Sequence, residues 1–135
     1  MVTRILTAVG VLVSAAAHLW LWFDGFRDIS VIGPLFMVNA VAGIVITVAV
    51  MAWRSWVPLF LAVGFGACTG GAFILSATVG LFGTHETFLG TWQIIALASE
   101  ILAVVAGCVA LYRENRPTRT GRNANRASTQ VSADR

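Results

Sequence analysis

Charge is what this sequence has least of. Arg, Asp and Glu make up 11% of its 135 residues, and lysine is absent, so all nine basic residues are arginine. A water-soluble domain carries about a quarter charged residues, enough to cover its surface; this chain falls far short, which excludes an ordinary soluble globule. Cysteine is also scarce. Cys68 and Cys108 lie in separate apolar runs, away from each other and from histidine. That excludes a disulfide framework or a cysteine metal cluster, and both read as small buried fillers. Histidine is limited to His18 and His85. A haem between facing helices asks for two imidazoles at matched depth, and His85-Glu86 is too small a set to hold zinc. No cofactor or metal is therefore expected. A phosphate-binding Gly-rich loop, a dinucleotide fingerprint and a Ser-His-Asp set are all missing, so the chain does not read as an enzyme.

What the sequence does have is apolar length. Hydrophobic residues make up 58% of it. A hydrocarbon core about 30 Å thick needs roughly 20 apolar residues in a helix, and four segments qualify: residues 5–23, 33–53, 58–82 and 90–112. Helices are required because each span must satisfy its own backbone hydrogen bonds in lipid. The polar breaks between them are short, which forces neighbouring helices to run antiparallel. Residues 1–112 are thus expected to form an all-α, antiparallel four-transmembrane-helix bundle. Arg4 followed by an apolar run and Ala15-Ala16-Ala17 has the outline of a signal peptide. The run continues, however, through Leu19, Trp20, Leu21, Trp22 and Phe23, so an uncleaved first helix is expected. Pro58 falls at the start of the third span, where its missing N–H is harmless, and Gly33-Pro34 marks the start of the second.

Arginine placement sets the orientation. With the N-terminus inside, Arg4, Arg54, Arg113, Arg116, Arg119, Arg122, Arg126 and Arg135 are cytoplasmic, against Arg27 alone outside with Asp24, Asp28 and Glu86. The expected location is the cell inner (plasma) membrane, multi-pass, with both termini cytoplasmic. Trp20, Trp22 and Trp92 then form an outer interfacial belt, and Trp53 and Trp56 an inner one. Residues 113–135 are Arg, Asn, Thr and Ser with little apolar content, a composition that cannot bury a core and is expected to be disordered. Its arginines suit anionic lipid headgroups, each contributing on the order of 1 kcal/mol near the surface. The lipid bilayer, rather than nucleic acid, is the expected partner of this basic tail.

Polar and small residues recur at helical spacing. Thr7, Gly10, Ser14 and His18 share a face in the first span, and Asn39, Gly43 and Thr47 in the second. The third carries two stripes, Ala62, Gly66, Gly70 and Thr69, Ala72, Ser76, Gly80; the fourth carries Gln93, Ala96, Glu100, Ala103, Gly107. Small residues let membrane helices approach and polar groups bond across the seam. Glu100 falls near the bilayer midplane, where an ionised carboxylate is costly and should be neutral or paired. His18 and Asn39 each lie about five residues from the outer end of their helix, a shared depth of roughly 7–8 Å, with Ser76 in the same layer and Ser14 nearer the level of Glu100. A helical side chain leans toward the N-terminus, so Glu100 reaches toward His18 and Asn39. These three form the candidate intramembrane polar site, open to the outer face and suited to proton relay or a small cation. A purely structural hydrogen-bond network is the competing reading.

The stretch His18-Leu19-Trp20-Leu21-Trp22, with Arg27-Asp28-Ile29, Ile32-Gly33-Pro34-Leu35-Phe36 and Asn39-Ala40-Val41-Ala42-Gly43, resembles a group of uncharacterised small four-helix integral membrane proteins of actinobacteria. The likeness continues through Gly64-Phe65-Gly66-Ala67 and Val79-Gly80-Leu81-Phe82-Gly83 into Glu86. It implies topology and no activity. The small breaks leave little extramembrane surface for chemistry. The expected role is a non-enzymatic assembly or accessory component of the cell membrane, working as a homo-oligomer or within a larger membrane complex. The alternative is a small proton-coupled carrier acting as an oligomer.

Overall fold

The computed structural model describes residues 1–80 and 90–115. The described residues fold into four α-helices: α1 (Val2–Phe23), α2 (Ile32–Ala52), α3 (Trp56–Thr78) and α4 (Thr91–Glu114). All four are long and apolar enough to cross a membrane, the architecture of a multi-pass membrane protein. Side chains that point away from the bundle are apolar, among them Val38, Val41, Val45 and Val48 on α2 and Ile101, Val105 and Val109 on α4. A water-soluble bundle would place polar residues there.

Helix limits follow local chemistry. Between α1 and α2 the chain turns through Gly25, whose φ of 121° suits a residue without a Cβ, and a 3₁₀ turn, Phe26–Asp28. That turn packs so closely on α2 that a Cβ on Gly33 would run into the Arg27 carbonyl. Ser55 caps α3 by accepting from the Val57 N–H at 3.3 Å. The expected third span reached residue 82, but α3 ends at Thr78, and Gly80 turns the backbone away with φ 83°. Residues 81–82 and the expected break at 83–87, with His85 and Glu86, lie outside the described residues. At the other limit α4 is longer than expected and runs through Arg113 and Glu114. The rest of the expected basic tail, residues 116–135, lies outside the described residues.

The small-residue stripes are the packing faces. A Cβ on Gly10 would lie 2.8 Å from both the Ala103 nitrogen and the Ser99 carbonyl oxygen, so α1 and α4 touch backbone to backbone. Gly66 meets the Glu100 carbonyl in the same way, and Gly43 lies against Ala15 and Phe65. The best-packed core is made of Ala8, Val11, Val50, Leu59, Ala62, Ala103 and Ala110, from the first halves of α1 and α3 and the second halves of α2 and α4. Cys68 and Cys108 are free and exposed on the helix surfaces. This corrects the expectation that they fill the interior, because neither belongs to a small-residue stripe.

One side chain ties the densely packed end together. Arg4 is buried, and its guanidinium donates to Val50 O at 3.2 Å, Trp53 O at 2.7 Å, Ser55 O at 3.2 Å and Glu114 Oε2 at 2.7 Å. It joins the first turn of α1 to the end of α2, the turn before α3 and the end of α4. At the opposite end, Trp20 of α1 stacks on Trp92 of α4 with ring centroids 5.0 Å apart.

Candidate functional site

Among the described residues, the end of the bundle away from Arg4 is not filled. α2 and α3 share a shorter seam than the other neighbouring helices, and a cavity of about 300 Å³ lies between them, floored by α1 and α4. That volume is at the lower end of small-molecule pockets, roughly 300–1,000 Å³. The wall is mostly apolar. His18, Asn39, Thr69, Ser76, Gln93 and Glu100 are the polar residues among those lining it.

Glu100 forms the floor, where the cavity gives way to the packed core. It is 2% exposed, the least accessible ionisable side chain among the described residues. The α1 stripe supplies its partner: the Ser14 hydroxyl donates to Oε1 at 3.1 Å. Gly70 on α3 faces the other oxygen closely enough that a Cβ there would lie 3.2 Å from Oε2. Oε2 has no hydrogen-bond partner among the described residues.

His18 lies one turn along α1 from Ser14. Its Nδ1 is 2.8 Å from the Ser14 carbonyl oxygen. A carbonyl only accepts, so Nδ1 carries a proton, and in the neutral ring Nε2 holds the lone pair. Nε2 lies 3.9 Å from Glu100 Oε1, too far for a direct hydrogen bond and close enough for charge coupling. Phe36 meets the imidazole edge-on at 5.0 Å and itself stacks on Phe26 of the 3₁₀ turn, which fixes the ring from the side of that turn.

The three expected site residues therefore line one cavity, but they are not one hydrogen-bonded cluster. His18 and Glu100 are adjacent, with Ser14 bonded to both. Asn39 faces them from α2, and its Nδ2 has no partner among the described residues. Thr69 also lines the cavity, and its hydroxyl donates back to the Phe65 carbonyl at 2.7 Å. Sequence reasoning put Ser14 near the depth of Glu100 and stopped there. The i, i+4 spacing of Ser14 and His18 was the signal that one serine could serve both. The aromatic wall of Phe36 and Phe73 carried no such signal, since its position depends on how far α2 and α3 stand apart. Among the described residues no three His, Cys, Asp or Glu come together as metal ligands.

No family model matches the chain, and no curated protein or solved structure matches it.

Proposed function

We propose that this chain is a non-enzymatic protein of the cell inner membrane that binds a small molecule between its helices and exchanges it for a proton at Glu100, as a proton-coupled carrier does. The observation that carries the reading is Glu100 itself: a carboxylate 2% exposed, with one oxygen unpartnered, at the floor of a cavity of about 300 Å³. An ionisable group in a membrane span is costly to keep, and one without a full set of partners is poor structural glue. A carboxylate that only fixed helix register would have both oxygens bonded. Here Ser14 serves Oε1, and among the described residues Oε2 has no hydrogen-bond partner, because the Thr69 hydroxyl beside the carboxylate gives its proton to the Phe65 carbonyl. His18 Nε2 provides a second proton acceptor beside it.

The helices of this carrier run antiparallel, with both termini in the cytoplasm. The Arg4 cluster supports the alternation, since it gathers the start of α1, the end of α2, the turn before α3 and the end of α4. Arg4, Arg54 and Arg113 at that end support a cytoplasmic assignment. So do the exposed Trp53 and Trp56 at that end and Trp20 and Trp92 at the other, two interfacial belts. Four helices enclose little space, so transport takes place in an oligomer.

The test is proton flux. Full-length protein is reconstituted in vesicles holding a pH-sensitive dye and challenged with cationic, neutral and anionic small solutes. At least one class should shift the internal pH with wild type and not with Glu100→Gln, the variant folding normally. If every class leaves the pH unmoved and the protein instead purifies only within a larger assembly, the accessory-component reading replaces the carrier.

A further inference from the structure

The chemistry of the lining selects an occupant. Glu100 is the only Asp or Glu among the described residues around the cavity, and Arg is missing from that set. The other titratable lining groups are the His18 imidazole and the Cys68 thiol. His18 spends its Nδ1 proton on the Ser14 carbonyl, so in its neutral form neither ring nitrogen offers a hydrogen bond to an anion. The group left wanting a donor is Glu100 Oε2. The rest of the wall is mostly apolar, with Phe36 and Phe73 among it, and aromatic rings attract cations as well as apolar bodies. A bare metal ion would need several oxygen or nitrogen ligands, and the described residues gather no such set.

The route in is also visible. Leu35 and Val38 of α2 and Cys68 and Ala72 of α3 line the cavity and are at the same time exposed on the bundle surface. The cavity therefore reaches the surface through the α2–α3 gap, between helices whose outer faces are apolar. A molecule using that gap comes from the hydrocarbon phase.

From the unpartnered Glu100 oxygen, the apolar aromatic wall and the lateral opening, we infer that the cavity takes a lipophilic organic amine, bound in its protonated form. The ammonium donates to Glu100 Oε2, its apolar body lies against Phe36 and Phe73, and an oxygen acceptor on the same molecule would be met by Asn39 Nδ2. The inference rests on the reading of the cavity as a binding site and adds the class of ligand.

Three probes of similar shape and different charge test it: phenethylamine, 2-phenylethanol and 3-phenylpropionate. Each is titrated calorimetrically into the detergent-purified full-length protein. The two native cysteines give a second readout that needs no variant: Cys68 lines the cavity and Cys108 lies on α4 away from it. Phenethylamine should bind most tightly of the three and slow alkylation of Cys68 by N-ethylmaleimide while leaving Cys108 unchanged. Glu100→Gln should weaken it by about tenfold or more, the loss expected for one charge-assisted hydrogen bond. If 2-phenylethanol or 3-phenylpropionate binds as well, or Glu100→Gln leaves phenethylamine binding intact, the amine class is overturned while the cavity stands as a binding site. If none of the three binds or protects Cys68, the binding-site reading falls with it.

Discussion

Replacing Arg4 by alanine should cost more stability than any other single truncation at its end of the bundle. Arg4 reaches four acceptors; Val50 O is a carbonyl that the end of α2 leaves without a helical partner, while Trp53 O, just past α2, also accepts from the Ser55 N–H at 2.9 Å. The other two are Ser55 O, at the cap of α3, and Glu114 Oε2. Removing one member of a buried ion pair costs about 3–5 kcal/mol, mostly because its partners are left unsatisfied. The Glu114 side chain is 36% exposed, so water takes up part of that loss, and about 3 kcal/mol is the expected value. That is roughly a 150-fold shift in the unfolding equilibrium. Glu114→Gln keeps an acceptor oxygen for the guanidinium and should cost only about 1 kcal/mol. Unfolding in mixed micelles, followed by tryptophan fluorescence, measures both, and the Arg4→Ala, Glu114→Ala double variant measures their coupling. Finding Arg4→Ala within about 0.5 kcal/mol of wild type, the range of an inconsequential surface change, would refute the idea that this arginine staples the helices.

Other consequences are quick to check. Gly10→Val should abolish folded yield or cost at least about 1–3 kcal/mol, because its Cβ meets α4 backbone that cannot move aside. Gly64→Ala, with nothing within 4 Å of the new Cβ, should be neutral or stabilising by up to about 1 kcal/mol; equal behaviour of the two would contradict the packing of α1 on α4. Ser14→Ala should cost about 1–3 kcal/mol in wild type and far less in a Glu100→Leu background, since the serine's main bond is to that carboxylate. A topology reporter fused after Arg113 should be active only in the cytoplasm; periplasmic activity would invert the orientation.

How much of this was legible in the sequence depends on whether a feature is local. The four helices follow from apolar length, and their packing faces from three- and four-residue spacing; Gly10, Ser14, Gly66 and Gly107 all fall on buried seams. The proximity of His18 and Glu100 also followed, from counting residues inward from helix ends. Arg4 looked like an orientation signal because its ligands are carbonyls of residues 46 to 51 positions away, which no spacing rule brings together. The exposed cysteines were misread from the average habit of cysteine, against the stripe pattern that placed neither on a seam. The cavity could not be foreseen at all, because its volume is set by the separation of α2 and α3.

The His18 ring separates structure from proton chemistry within one residue. Its two nitrogens have different neighbours: Nδ1 bonds the Ser14 carbonyl one turn back, and Nε2 faces Glu100. Asparagine places an amide near Nδ1 and nothing near Nε2, whereas glutamine reaches toward Nε2 and gives up the bond to Ser14. If the histidine were present for packing alone, His18→Asn should be the better tolerated in every respect, since it keeps the hydrogen bond that orders the ring. If it serves proton exchange, neither amide can replace it, because an amide does not titrate. His18→Asn should then retain near-native unfolding in micelles while losing solute-driven proton flux, and His18→Gln should lose about 1 kcal/mol of stability as well as the flux. A His18→Asn protein that still moved protons would remove the imidazole from the mechanism and leave Glu100 to act alone.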